Sequence, residues 1–193
     1  MQFVFAVKFR KSDWKVNPIS HALASEFISS HHYARGTANT SVVSLGMFPS
    51  KSFWNCEIRG ACLYMPAPLQ AIKSVDCEPR EALSLSRLAI HPDVPTNGAS
   101  YLIGSSIRYI RNHLPHVRIL MSWADIGQNH TGQIYRATNW KYVGLTCKTY
   151  SWVDSDGKRV SLYCAGKSIP VKTLDSLYTR VGPFRKHKFV FYL

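Results

Sequence analysis

Residues 119–125 read Ile-Leu-Met-Ser-Trp-Ala-Asp, and residues 130–140 read His-Thr-Gly-Gln-Ile-Tyr-Arg-Ala-Thr-Asn-Trp. The first stretch is a near-continuous apolar run of strand length, the pattern of a strand covered on both faces of an α/β sheet. It ends on Asp125, at the C-terminal edge where open α/β sheets place their ligands. Tyr135 follows on a short helix expected over residues 131–138, so a carboxylate and a phenol are set to converge on one cleft. Such a pair suits acid–base chemistry or substrate orientation. A plainer reading of the same residues has Asp125 capping the next turn and Tyr135 packing its ring on the sheet. Ser122, His130 and Asn139 flank the pair and are further cleft candidates.

Upstream, residues 83–90 read as a strand in which apolar Leu83, Leu85 and Leu88 are interrupted by Arg87. An arginine there needs a reason, either a pairing with Asp125 or an anionic substrate. The loop from His91 holds Pro92, Pro95 and Asn97-Gly98, and Leu102, Ile103, Ile107 and Ile110 predict an amphipathic helix over residues 101–114. Asn97, Gly98, Ala99 and Ser100 at its entrance are candidates for holding the anionic part of a cofactor through free backbone N–H groups. Ser100 acting as an ordinary N-cap is the simpler use.

Further out, residues 2–9 (QFVFAVKF) read as a first strand, and Asn17-Pro18 introduces a helix with Ile19, Leu23, Phe27 and Ile28 at helical spacing. That helix delivers His32 and Tyr33 at its C-terminal end. Residues 40–48 and 53–65 form an expected antiparallel pair. After residue 142 come strands at 142–153 and 160–164 around an Asp154-Ser155-Asp156-Gly157 turn, and residues 174–193 form a basic and aromatic C-terminal strand or arm. This order predicts an α/β (α+β) fold with a mixed central sheet and flanking helices, a single domain over residues 1–193.

Lys and Arg number 24 against 11 Asp and Glu, a formal charge of +13 with a pI near 9.7, which points to a polyanionic partner such as double-stranded DNA. Arg35, Arg136, Lys141, Arg185, Lys186 and Lys188 are the candidate phosphate contacts. Trp140-Lys141-Tyr142 and Lys148-Thr149-Tyr150 mix aromatic and basic residues in a way that serves base stacking or a core strand equally. The five cysteines, Cys56, Cys62, Cys77, Cys147 and Cys164, are odd in number and include no Cys-x-x-Cys pair, as expected of free thiols in a reducing cytoplasm. No apolar run is long enough to span a membrane. His31 and His32 are neighbours that point apart on a helix, so a metal at His32 and Tyr33 needs a further ligand from elsewhere.

Several of these blocks carry a resemblance: His32-Tyr33-Ala34-Arg35, Leu85-Ser86-Arg87-Leu88, residues 97–100, Ser122-Trp123-Ala124-Asp125 and residues 130–140. Together they resemble the Mom DNA-modification proteins of phage Mu and its relatives, which are similar to GCN5-related N-acetyltransferases, over most of the chain. The resemblance implies modification of adenine at its exocyclic N6 amine by a carbamoylmethyl group, which shields phage DNA from host restriction in the bacterial cytoplasm. Arg87, Ser100, Asp125 and Tyr135 fall on the family's functional positions, and His32 and Tyr33 match its first motif and line the same cleft. The family's link to iron makes His32 and Tyr33 candidate ligands. The pyrophosphate-loop pattern of the wider acetyltransferases is not present: residues 91–100 hold one glycine and two prolines. That leaves the donor open between acetyl-CoA and another acyl- or glycine-derived molecule, as it leaves a homodimer open. The alternative functions are a CoA-dependent N-acetyltransferase for a protein or small amine, and a non-catalytic basic DNA-binding module on the same scaffold.

Overall fold

The computed structural model describes residues 8–33, 37, 39–51, 57–160, 162–164 and 167–193. They fall into two compact units, the larger made of Met1–Ser122, Gln133–Tyr142 and Phe189–Leu193, the smaller of Trp123–Gly132 and Val143–Lys188.

In the larger unit the first described strand is β1 (Trp14–Pro18), not the strand expected at residues 2–9, of which 2–7 lie outside the described residues. Two apolar residues, Trp14 and Val16, gave too short an alternation to be legible. β1 is an edge strand, which is where a residue such as Pro18 without an N–H is tolerated. Helix α1 (His21–His31) follows, capped by Ser20, whose hydroxyl accepts from Leu23 N at 3.2 Å. Its buried residues are Ala24, Phe27 and Ile28, whereas Leu23, expected on the same face, is exposed.

The expected antiparallel pair is present as β2 (Val43–Pro49) and β3 (Gly60–Pro66), in register from Val43·Tyr64 to Met47·Gly60. β3 alternates across the sheet. Ala61 and Leu63 join Ala89 beneath α1. Tyr64 turns to the other face, 2.7 Å from Ser106 Oγ on α3 (Gly98–His113). Ser106 also donates to the Ile103 carbonyl, which can only accept, so the Tyr64 phenol supplies the proton of the first bond. Cys62 is fully buried and burial pushes its thiol up to about 12, partly offset by Ser106.

A short helix, α2 (Leu69–Ile72), precedes β4 (Ala82–Ile90), and α3 buries Leu102, Ile103, Ile107 and Ile110 as the spacing predicts, but begins three residues early, at Gly98. β5 (Ile119–Asp125) runs parallel to β4. Helix α4 (Gln133–Arg136) leads to β6 (Lys141–Leu145), and the large sheet is ordered β1-β2-β3-β4-β5-β11-β6, with β11 at Lys186–Tyr192. This is the mixed sheet with flanking helices that the element order predicts.

In the smaller unit, the single strand expected at residues 142–153 is interrupted at residues 146–148, and β7 (Thr149–Val153) pairs antiparallel with β10 (Thr179–Phe184). The break has a cause in pairing: Thr146 N bonds Lys186 O, after which the chain leaves for a second, two-stranded sheet. The strand expected at 160–164 shrinks to β8 (Tyr163–Cys164), paired with β9 (Lys167–Ser168). The expected C-terminal arm resolves into the end of α5 (Val171–Leu177), β10 and β11.

Two outcomes follow. A Cβ at Gly98 would run into Val94 Cγ1, so Gly98→Ala overpacks the entrance of α3 and should cost about 1–3 kcal/mol in a urea unfolding titration. Cys62 should resist iodoacetamide at pH 8 while exposed Cys147 is alkylated, read by peptide mapping. Between the usual thiol pKa of 9.0 and about 12 the folded chain keeps a proton that the unfolded chain gives up, so Cys62 makes stability fall as pH rises through that window.

Candidate functional site

The larger unit builds its site where β4 and β5 part. Their parallel ladder runs from Ala82·Ile119 to Ser84·Met121. On its other side β4 pairs Tyr64 with Leu85 but Leu63 with Arg87, so Ser86 is an extra residue, a β-bulge. The bulge reverses the alternation. Leu85 lies opposite Tyr64 on the α3 side, whereas Arg87 lies opposite Leu63 on the α1 side. This answers why an arginine interrupts an apolar strand: it is taken out of the α3-facing row. Its Nη1 donates to Ser86 O at 2.8 Å.

Past the ladder, a side chain takes over. Ser122 Oγ lies 3.1 Å from Leu85 O and 2.7 Å from the Tyr135 hydroxyl. The carbonyl can only accept, so Ser122 donates to it and the Tyr135 phenol donates to Ser122. The ring of Tyr135 is buried against Trp140 and Phe189, at centroid distances of 5.4 and 5.0 Å. Burial raises the phenol above its ordinary pKa, the Ser122 bond offsets part of that, and the phenol of Tyr33 raises it further. Tyr135 is therefore a neutral phenol at physiological pH, a donor and not a base. His32 caps the end of α1 and stacks on half-exposed Tyr33 with centroids 4.3 Å apart. Tyr33, Ser122 and Tyr135 thus come into one neighbourhood. Asn139 sits nearby in sequence with φ +64, closing the turn after α4 through its N–H to Arg136 O.

At the entrance of α3 the capping position belongs to Asn97, in the left-handed region at φ +83 with no side-chain cap bond, and Ser100 lies inside the first turn. The expectation that Ser100 caps the helix is therefore corrected, along with the helix start. Three amides of the loop before it are bonded internally: Asp93 N on His91 Nδ1, Val94 N on His91 O and Gly98 N on Pro95 O. Pro92 and Pro95 have no N–H. Packing alone calls for glycine at position 98, since a Cβ there would run into Val94 Cγ1.

A pocket of about 410 Å³ also opens beside α1, lined by Phe27, His31, Arg59 and His91 among others. The His31 and His91 rings stand 5.1 Å apart, and Arg59 binds Glu57 at 2.7 Å. Sequence reading passed over His91 and Arg59 because only the sheet register brings them to α1. Among the described residues no three His, Cys, Asp or Glu side chains gather as a metal site, so the expected iron ligation by His32 and Tyr33 finds no ligand set there.

In the smaller unit, Asp125 is buried at the end of β5. Its Oδ1 accepts Gly127 N at 3.0 Å, capping the following turn, while Oδ2 faces Arg159 Nη1 at 3.4 Å and Lys186 Nζ at 4.0 Å. A Cβ at Gly127 would meet Phe184 at 2.8 Å and Asp125 Oδ1 at 3.2 Å, so the turn closes on Asp125 only with glycine. Arg159 was not foreseen as its partner; a sequence separation of 34 hides the pairing. His130, exposed, donates its backbone N–H to Asp125 O.

Of the candidate phosphate contacts, Arg136 lies over the rings of Tyr142 and Phe189, at 4.9 and 5.5 Å, and Lys141 is exposed on β6. Arg185 is exposed, Lys186 is shared with Asp125, and partial burial lowers the pKa of Lys188. Arg35 lies outside the described residues.

The fold resembles that of several solved acetyltransferases. Arabidopsis thaliana NAA60 in complex with acetyl-CoA matches with a TM-score of 0.58 at 12% identity, covering 93% of this chain and 98% of that one. The ribosomal-protein-S18-alanine N-acetyltransferase of Escherichia coli matches at 0.53 and 8%, covering 93% of both chains. A GNAT family acetyltransferase from Elizabethkingia anophelis with acetyl-CoA bound matches at 0.53 and 10%, covering 95% and 100%. The mixed sheet is thus a GNAT-type fold. By sequence, the chain is 27% identical over 150 residues to the methylcarbamoylase Mom of Escherichia phage Mu, covering 78% of this chain and 61% of that protein, so it spans about three fifths of that relative's length. The Mom family model matches residues 13–192, and the chain belongs to the Mom protein family.

Proposed function

We propose that the protein is a transferase that modifies adenine in double-stranded DNA at N6, adding a carbamoylmethyl group that protects phage DNA from restriction in the cytoplasm of the bacterial host. What supports the reading is the family match over residues 13–192, a span that includes Arg87, Ser100, Asp125 and Tyr135.

The N6 amine is a poor nucleophile because its lone pair is delocalised into the ring, and in a duplex it is paired, so the base is flipped or transiently opened before reaction. The amine nitrogen forms a bond to the carbon of an acyl- or glycine-derived donor, the donor's bond to its leaving group breaks, and the N6 proton is lost. In this reading Asp125 takes that proton on Oδ2, the oxygen not committed to the cap. Tyr135, a neutral phenol, orients or protonates the leaving group. An anionic group of the donor or of the substrate is held by the α3 entrance at Ser100 or, on the α1 side of the sheet, by Arg87.

A second reading, an N-acetyltransferase using acetyl-CoA, is favoured by the fold likeness to acetyl-CoA-bound structures. The two prolines and three internally bonded amides of residues 91–98 weigh against it. Tight acetyl-CoA binding by calorimetry, with an acetylated protein or amine and no modified deoxyadenosine, would favour the second reading.

Nucleosides digested from DNA of cells expressing the protein should contain a modified deoxyadenosine by mass spectrometry. It should drop by at least about tenfold in Asp125→Asn, on the scale of a lost proton acceptor. Only unmodified deoxyadenosine in cells with folded wild-type protein would overturn the reading. Because burial holds Tyr135 protonated, Tyr135→Phe should lower the yield without moving the pH profile below the ordinary phenol range.

A further inference from the structure

We infer that the β7–β10 ribbon of the smaller unit is a DNA-backbone grip, carried by Lys148, Arg180 and Arg185 with Tyr150. The inference rests on DNA being the substrate; it joins Arg185 and the Lys148-Thr149-Tyr150 stretch, each a candidate from sequence, through Arg180, which sequence did not single out.

The smaller unit holds nine Lys and Arg against four Asp, a net of five positive charges in 56 residues, and contains no Glu. Its acids are already engaged or lie elsewhere. Asp125 faces Arg159 and Lys186, Asp154 accepts the backbone N–H groups of Asp156 and Lys158, and Asp175 accepts Trp152 Nε1 at 2.7 Å. Asp156 sits exposed in the turn at residues 154–157. Among the described residues, none of Lys148, Arg180 and Arg185 is in an ion pair, and all three are exposed.

The register sets Arg180 beside the β7 aromatics. Arg180 lies opposite Trp152, Val181 opposite Ser151, and then, after a bulge, Phe184 opposite Thr149. Arg180 therefore shares the face of Trp152 and, two residues along β7, of Tyr150. Lys148 and Arg185 directly adjoin the last pair, Thr149 and Phe184, so the two further exposed cations flank that end of the ribbon.

Arg180 is pre-set for an anion. Its guanidinium lies over the Tyr150 ring at 3.8 Å and over Trp152 at 5.5 Å, which limits its rotamers while leaving its N–H edges for phosphate oxygens. Tyr150 is 40% exposed, leaving ring surface that an opened base or a sugar could cover. A set of unpaired cations of one sign matches a polyphosphate backbone and not a mixed-charge protein surface.

Anisotropy of a short labelled duplex over a range of salt concentrations tests this with the full chain. Lys148→Ala, Arg180→Ala and Arg185→Ala together should weaken binding at least tenfold and reduce the slope of log affinity against log salt by about 2–3. A charge-matched control, Lys8→Ala, Lys11→Ala and Lys73→Ala, should leave the slope near wild type. If the triple ribbon variant fails to keep the wild-type thermal transition, Lys148→Gln and Arg185→Gln singly carry the test, each lowering the slope by about 1. Equal slopes in ribbon and control variants, or a wild-type chain that does not bind the duplex, would overturn the grip. The two readings fail separately. Ribbon-dependent binding with unmodified nucleosides sinks the chemistry and keeps the grip; modified adenine with ribbon-independent binding does the reverse.

Discussion

The shortness of the β4–β5 ladder is the constraint on which the larger unit's site depends. Parallel strands joined through a helix gain their stability from continuous pairing under cover, yet here the pairing lasts only from Ala82 to Ser84 on β4. One extra residue, Ser86, sets the limit by shifting the β3–β4 register. Three consequences come from that single insertion. Arg87 changes face, the Leu85 carbonyl is left for a side-chain donor, and Ser122 becomes that donor. Tyr135 is then anchored through Ser122 and its ring is buried. Deleting Ser86 to restore regular pairing would return Arg87 to the row of Leu85 and dismantle the arrangement around it.

The smaller unit solves a different problem, that of a buried carboxylate. A lone ionised carboxyl removed from water costs several kcal/mol unless it is paired and hydrogen-bonded. Asp125 meets this with one short backbone bond at Oδ1 and two looser cations at Oδ2. Arg159 and Lys186 are each about two-fifths exposed, so their attraction is screened, and the Gly127 N–H is the firmer contact.

The sequence made the elements of the core legible because they obey strong periodicities: β5 as an apolar run, α3 as a stripe at Leu102, Ile103, Ile107 and Ile110, β2 and β3 as an antiparallel pair. Asp125 at a strand end and Tyr135 on the next short helix were equally visible. What stayed hidden depends on register and long-range contact. The bulge at Ser86 has no marker such as glycine, whereas the one on β10 falls at Gly182-Pro183, a marker that sequence reading passed over; the β6–β7 break at residues 146–148 carries no proline, and Arg159 meets Asp125 only through the fold. The first helical turn of α3 was missed because Asn97, not Ser100, occupies the capping position, in a left-handed conformation that asparagine tolerates. The iron ligands, implied by resemblance and not by spacing, find no set of three His, Cys, Asp or Glu side chains among the described residues.

The capping and chemical readings of Asp125 are compatible at the level of its two oxygens. A cap needs one acceptor, and Gly127 N takes Oδ1. That bond restrains the carboxyl plane, because rotation about the Cβ–Cγ bond would break it. Oδ2 is therefore held in one direction without being saturated: its cations stand at 3.4 and 4.0 Å, outside the range of short charge-assisted bonds. The cap is thus compatible with the proposed role of Asp125 as a proton acceptor, since it uses Oδ1 and leaves Oδ2 to face Arg159 and Lys186.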